Sequence, residues 1–153
     1  MISDLSPFKQ RLARNELVTG TMVFEFFTPG LAQLTREAGA DFILYDMEHS
    51  GADIETIKAQ VSHCRGLAIT PMVRVPVGEY HFIARVLDAG AHGIMVPMVE
   101  SVEQARHIVT CSQYPPVGRR GAAFGMARDD YRAGTPDEKI GAQRARPVVH
   151  ALL

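Results

Sequence analysis

The sequence has little of the features that mark secreted, membrane-bound or nucleic-acid-binding proteins. Two cysteines, Cys64 and Cys111, in 153 residues argue against a disulfide scaffold and favour a reduced, cytoplasmic protein. The 16 basic and 17 acidic residues form no basic stripe, so nothing in the charge pattern indicates a nucleic-acid or membrane partner. The N-terminal stretch MISDLSPFKQRLARNE is polar and charged, and it resembles neither a secretory signal nor a membrane span.

No linker or low-complexity tract divides the chain, so we expect one domain or part of one. Hydrophobic residues make up 46% of the sequence, which is enough for a real core at this length. Continuously apolar strands alternate with helical segments, a pattern that predicts βαβ units and a parallel sheet buried on both faces. The predicted strands are 20–26, 42–46, 70–75, 93–97 and 148–153.

The helix starts are predicted from capping residues. Ser6-Pro7, Thr28-Pro29 and Thr135-Pro136 each place a hydroxyl before a proline, which favours a helix opening at that proline. Ser101 and Gln104 form the sequence pattern of a capping box. A long polar loop follows the helix that Ser101 opens.

Two architectures are compatible with this pattern. A five-stranded doubly wound sheet fits 153 residues, whereas a (β/α)8 barrel needs about 250. The similarity of EAGADFIL (37–44) to DAGAHGIM (88–95) favours the barrel, because it indicates a repeated unit. The segment PVVHALL (147–153) is an apolar strand with no helix after it, which also favours the first five strands of a barrel.

The segment FILYDMEHS (42–50) ends a predicted buried strand with Asp46, Glu48 and His49. Functional groups of parallel α/β proteins lie at the carboxyl ends of their strands. A carboxylate that accepts a hydrogen bond from one imidazole nitrogen leaves the other nitrogen free to act as a base. The three side chains are therefore candidates for an acid–base site, and the alternative is a solvated turn.

Arg74 lies near the end of the third predicted strand, in TPMVRVP (70–76). A guanidinium in such an apolar strand must be paired, and a carboxylate or phosphate suits its two-pronged geometry. Two partners are open: a substrate anion, or an internal salt bridge with Asp46 or Glu48. The two partners are compatible if the salt bridge forms only while no substrate anion is bound.

The loop GRRGAAFG (118–125) has glycines and basic residues, but not the strand–glycine–helix order of a nucleotide fingerprint, so we exclude a dinucleotide site. Arg119 and Arg120 in this loop are candidates for substrate or interface contacts, or are solvated. His150 lies inside the last predicted strand, and its role is open between packing and function.

Together, four segments resemble the HpcH/HpaI aldolases, which cleave 2-keto-4-hydroxy acids and include the 4-hydroxy-2-oxoheptanedioate and 2-dehydro-3-deoxyglucarate aldolases. The segments are YDMEHS, PMVRVP, GAHGIMVPMVES and YPPVGRRGAAFGMARDDY. The resemblance implies a (β/α)8 TIM barrel, of which residues 1–153 would form the N-terminal portion of a single domain with about five strands. It also implies a homo-oligomer, a trimer-based hexamer.

The activity implied by this resemblance is that of a metal-dependent carbon–carbon lyase that releases pyruvate and an aldehyde, using Mg²⁺, Mn²⁺ or Co²⁺. The resemblance makes His49 the general base, Asp46 the residue that orients it, and Glu48 the acidic residue beside it. Arg74 would bind pyruvate and stabilise its enolate. Arg120 matches the family's loop after the fourth strand–helix unit and is expected to bind substrate.

The resemblance places the carboxylates that hold the metal after Leu153, so we expect no metal ligand in this chain. The 153-residue chain alone is then expected to be inactive. Two other functions are open: a non-catalytic α/β fragment that associates through its exposed fifth strand, and an independent domain that binds a small phosphorylated ligand.

Overall fold

The computed structural model describes residues 6–145 and 147–152, which form a sheet of five strands with helices between them. The strands are β1 Gly20–Val23, β2 Phe42–Asp46, β3 Thr70–Arg74, β4 Gly93–Val96 and β5 Val148–Ala151. The α-helices are α1 Pro7–Ala13, α2 Leu31–Glu37, α3 Ile54–His63, α4 Tyr80–Asp88, α5 Val102–Ser112 and α6 Pro136–Ala145. A 3₁₀ turn covers Ala127–Asp129 in the long loop before α6. Among the described residues, no helix combines the length and the apolar character needed to cross a lipid bilayer.

The strands are parallel and lie in the order β1-β2-β3-β4-β5. This sequential order is the order of strands in a barrel, and it excludes the doubly wound alternative, in which the order reverses at a switch point. The five predicted strands are confirmed in position. Within the sheet, β1 and β5 are the edge strands, and the predicted end of the fifth strand, Leu153, lies outside the described residues.

The first strand is shorter than predicted, and the helix after it begins later. Strand β1 ends at Val23, because the chain then turns: Phe26 has a φ of 57°, and Thr28 N donates to Phe26 O at 2.8 Å. The prediction that Thr28-Pro29 opens α2 is wrong, since Thr28 O instead accepts Leu31 N at 3.2 Å in a turn before the helix.

The other capping predictions are confirmed. Ser6 Oγ accepts the N–H of Lys9 at 3.5 Å, and Ser101 and Gln104 form a complete capping box on α5. Ahead of α6, Thr135 Oγ1 accepts the N–H of Glu138 at 3.4 Å, and Thr135 N donates to Glu138 Oε2 at 2.9 Å. These bonds fix the first turns of α1, α5 and α6.

The two faces of the sheet have different surroundings. Tyr45, Val73 and Ile94 belong to the main core, which packs against the helices. The other face, here called the inner face, carries a smaller cluster built on Phe8, Leu44 and Met72, with Met22, Phe42, Met95 and Val148 against it. Helix α1 covers the amino end of this face, where the Phe8 and Phe42 rings meet edge to face at 5.8 Å. The carboxyl end of the inner face carries polar residues instead.

Candidate active site at the carboxyl edge of the sheet

Asp46 and Arg74 are the last residues of β2 and β3 and are paired in the strand register. Both lie on the inner face, because side chains alternate along a strand and Leu44 and Met72 precede them by two positions. Arg74 Nε donates to Asp46 Oδ1 at 2.5 Å, with Asp46 fully buried and Arg74 8% exposed. The internal salt bridge that the sequence left open is therefore present.

The Asp46 carboxylate also shapes the turn that follows β2. Its Oδ2 accepts the backbone N–H of His49 at 2.7 Å, and its Oδ1 accepts that of Glu48 at 3.2 Å. Ser50 Oγ closes the turn by donating to Asp46 O at 2.6 Å. Burial alone would raise the pKa of Asp46, but the hydrogen bonds from Arg74 and from these two N–H groups together hold the pKa below its usual value.

Glu48, rather than Asp46, is the carboxylate that faces the His49 imidazole. Glu48 Oε2 lies 3.7 Å from His49 Nε2 and 3.1 Å from Arg74 Nη1. Asp46 therefore positions His49 through its backbone N–H, which differs from the predicted contact with the ring. The imidazole itself is 67% exposed, so it reaches the space in front of the sheet edge.

The Arg74 guanidinium keeps one nitrogen available. Its Nε bonds Asp46 and its Nη1 pairs with Glu48, whereas Nη2 makes no hydrogen bond within residues 6–145 and 147–152. The hydrogen bond to Asp46 raises the pKa of Arg74 although burial opposes it, so the group stays charged. The Phe24 ring lies 5.6 Å from the guanidinium carbon and covers one side of it.

Sequence reasoning missed Phe24 as a member of this cluster. It was assigned to the interior of the first strand, whereas that strand ends one residue before it. Its side chain is 40% exposed. The available signal was an aromatic residue near the carboxyl end of a strand next to the one that carries Asp46.

Arg120 is not part of this cluster. It is 1% exposed, its Nη2 donates to Asp88 Oδ1 at 2.6 Å, and its guanidinium lies 5.0 Å from the Tyr114 ring centre. Asp88 is the last residue of α4, and a helix between parallel strands ends toward their amino ends. Arg120 thus ties the long loop to α4 on the helix side of the sheet, and its geometry gives no support to the predicted substrate contact.

A separate cleft of about 450 Å³ contains none of the residues of the cluster. It is formed between the segments that follow β3 and β4, and its lining includes Val77, Glu79, Met98 and His107. None of the predicted site residues lines it. The candidate site is therefore the open inner-face edge around Arg74, not this cleft.

The residues present do not form a metal site. Across residues 6–145 and 147–152, no group of three or more histidine, cysteine, aspartate or glutamate side chains is arranged to hold a metal ion. The carboxylates nearest the candidate site are already engaged, Asp46 by Arg74 and two backbone N–H groups, and Glu48 by Arg74 and His49.

Comparison with known proteins gives one family. Residues 22–146 match the sequence model of the family described as HpcH/HpaI aldolase/citrate lyase. The chain is 39% identical over 137 residues to the hydroxypyruvate/pyruvate aldolase of Roseovarius nubinhibens, covering 90% of this chain and 53% of that protein. It is 34% identical over 140 residues to the 2-keto-3-deoxy-L-rhamnonate aldolase of Klebsiella pneumoniae, covering 87% of this chain and 52% of that protein.

The structural comparison agrees. The crystal structure of an HpcH/HpaI aldolase from Desulfitobacterium hafniense superposes with a TM-score of 0.88 at 29% identity, covering 94% of this chain and 55% of that one. The five parallel strands are thus those of the TIM-barrel-like HpcH/HpaI fold. The chain spans about half the length of the curated relatives it matches.

Proposed function

The chain belongs to the HpcH/HpaI aldolase/citrate lyase family, and from that premise we propose that it carries the keto-acid-binding part of a pyruvate aldolase site. The reaction is the cleavage of a 2-keto-4-hydroxy acid to an aldehyde and pyruvate. Relatives named for hydroxypyruvate, pyruvate and 2-keto-3-deoxy-L-rhamnonate support this substrate class. Residues 1–153 would be the N-terminal part of a single barrel domain.

The observation that carries this proposal is the placement of Arg74. Breaking the bond between C3 and C4 leaves its electron pair in a pyruvate enolate, whose negative charge needs a fixed cation. Arg74 is held between Asp46 and Glu48 at the carboxyl edge, with Nη2 free of hydrogen bonds to the described residues. In this proposal Nη2 binds the keto-acid carboxylate and faces the enolate oxygen.

His49 supplies the base in the same proposal. The C4 hydroxyl must lose its proton as the carbon–carbon bond breaks, and an imidazole can accept a proton near neutral pH. The Glu48 carboxylate beside His49 Nε2 stabilises the imidazolium that results. Asp46 is a positioning residue, because it fixes both Arg74 and the backbone of His49.

The divalent metal implied by the family resemblance, Mg²⁺, Mn²⁺ or Co²⁺, does not fit the described residues. Mg²⁺ requires several oxygen ligands in near-octahedral geometry. The Asp46 and Glu48 carboxylates are instead paired with Arg74. We assign no step to the metal. We propose that its ligands lie outside the described residues and that the short chain alone gives no metal-dependent turnover.

The test is pyruvate release from a 4-hydroxy-2-oxo acid, followed with lactate dehydrogenase and NADH. The short chain is compared with a chimaera in which residues 1–152 are continued by the second half of the Roseovarius relative, each with Mn²⁺ and with a chelator. The proposal predicts that the short chain releases no pyruvate. It predicts that the chimaera releases pyruvate only with Mn²⁺, and that Arg74→Met abolishes this release. A folded, metal-loaded chimaera that cleaves no 4-hydroxy-2-oxo acid would contradict it.

A further inference from the structure

One row of the strand register crosses the inner face from the candidate site to the last strand. Asp46 pairs with Arg74, Arg74 with Met95, and Met95 with His150. Val148, two positions before His150, packs into the inner-face cluster. Because side chains alternate along a strand, His150 lies on the same face as Arg74.

His150 is free to bind a ligand. Its side chain is exposed, and it makes no hydrogen bond to any other residue in the part of the chain that the structure describes. Between it and Arg74 lies Met95, a half-buried apolar side chain that forms a floor. The row therefore has a cation on one side, an apolar centre, and an imidazole on the other side.

The spacing of the row limits what bridges it. Two strand spacings of about 4.8 Å put the backbones of Arg74 and His150 roughly 10 Å apart. The two side chains lie on either side of Met95, so a molecule that contacts both needs a second polar group beyond the one that meets Arg74. An oxo acid with an oxygen a few carbons beyond its 2-keto group has such a second group. Pyruvate has no oxygen beyond its keto group, so it reaches only Arg74.

We propose that His150 determines specificity by hydrogen-bonding an oxygen on the aldehyde-derived end of the substrate while Arg74 holds the keto-acid end. This inference rests on the proposed function, and it identifies the substrates as oxo acids with a second oxygen-bearing group beyond the keto acid. Pyruvate lacks this oxygen, so His150 does not contribute to its affinity.

Binding to the 153-residue chain tests this with two non-reacting probes, pyruvate and 2-oxoglutarate, whose distal carboxylate stands in for the distal oxygen. Dissociation constants are measured by NMR titration for the native chain and for His150→Ala, His150→Gln and Arg74→Gln. His63→Ala is the matched control, because His63 is an exposed histidine at the end of α3. The ring signal of His150, assigned from its loss in His150→Ala, reports direct contact.

We expect His150→Ala to raise the dissociation constant for 2-oxoglutarate about tenfold, which is the effect of losing a hydrogen bond to a charged group. The dissociation constant for pyruvate should change by less than about twofold. His150→Gln, which keeps a donor, restores much of the loss, and His63→Ala changes neither affinity. Arg74→Gln weakens both ligands. The His150 signal shifts with 2-oxoglutarate and stays in place with pyruvate.

Two results would overturn the inference, and they are distinguishable. In the first, Arg74→Gln lowers the affinity for both ligands, whereas His150→Ala changes neither affinity or lowers both equally. His150 then has no role in specificity, and the proposed function stands. If the native chain binds neither ligand, or binds them independently of Arg74, the proposed function fails and this inference fails with it.

Discussion

Arg74 Nε lies 2.5 Å from Asp46 Oδ1, and the same carboxylate accepts the backbone N–H groups of Glu48 and His49. A single buried group thus sets the position of a cation on β3 and the shape of the turn after β2. The candidate anion-binding group and the candidate base are coupled through Asp46, so a change at Asp46 affects both.

The stability of the chain should depend on the Asp46–Arg74 pair. Arg74→Met leaves the fully buried Asp46 carboxylate without its cation, and breaking such a pair from one side costs about 3–5 kcal/mol in the free energy of unfolding. The double variant Asp46→Asn with Arg74→Met should recover part of this loss, since the uncompensated charge is gone. Urea unfolding measures both, and a single variant as stable as the native chain would contradict the pairing.

Asp129 should make the fold sensitive to acid. Burial alone would raise its pKa, but hydrogen bonds from Lys139, Gly125 N and Met126 N lower the pKa of Asp129 to about 2. Because an unfolded aspartate titrates near 4, its stabilising contribution is complete above about pH 4 and is lost as the pH falls toward 2. In Asp129→Asn the free energy of unfolding should vary less with pH over this range. A variant with the native acid dependence would exclude the carboxylate as the cause.

His49 should matter for turnover more than for the fold. In the metal-loaded chimaera, His49→Ala should lower the rate of pyruvate release by roughly 10²–10⁴-fold, the usual contribution of a positioned base. Its side chain is 67% exposed, so the urea midpoint should change little. His81→Ala, at another exposed histidine, is the control. An unchanged pyruvate-release rate in a folded His49→Ala enzyme would remove His49 from the mechanism.

Arg120 should act on stability and not on ligand binding. Arg120→Met removes the nearer to Asp88 of two arginines that pair with this carboxylate and lie against the Tyr114 ring, the other being Arg128. We therefore expect lower stability with an unchanged dissociation constant for pyruvate. The exposed Arg119 beside it is the control, because Arg119→Met removes only an exposed contact with the Tyr80 ring. It should lower stability much less than Arg120→Met and leave the dissociation constant for pyruvate unchanged. A selective loss of pyruvate affinity in Arg120→Met would instead restore the substrate contact that the family resemblance implies.

The strand positions and their order follow from the sequence because each buried strand is a continuous apolar run and each connection contains a helix. The Asp46–Arg74 bridge was foreseeable as one of two alternatives, since the carboxyl ends of neighbouring parallel strands meet at one edge. These inferences depend on local pattern and on the topology that parallel strands require.

The contacts that sequence reasoning missed depend on the paths of turns and loops. Arg120 meets Asp88 across 32 positions of sequence, after a loop whose course no periodicity predicts. The carboxylate beside the His49 imidazole is Glu48, because the oxygens of Asp46 already accept hydrogen bonds from two backbone N–H groups and from Arg74. Phe24 reaches Arg74 only because β1 stops at Val23.

The central claim is that Arg74 stabilises a pyruvate enolate at this sheet edge, and enolate formation can be measured without knowing the aldehyde. The chimaera is incubated with pyruvate and Mn²⁺ in D₂O, and deuterium incorporation into the methyl group is followed by NMR. The account predicts exchange that falls at least about 10²-fold in Arg74→Met and is unchanged in Arg119→Met. Exchange of equal rate in native and Arg74→Met enzymes, both folded, would contradict it.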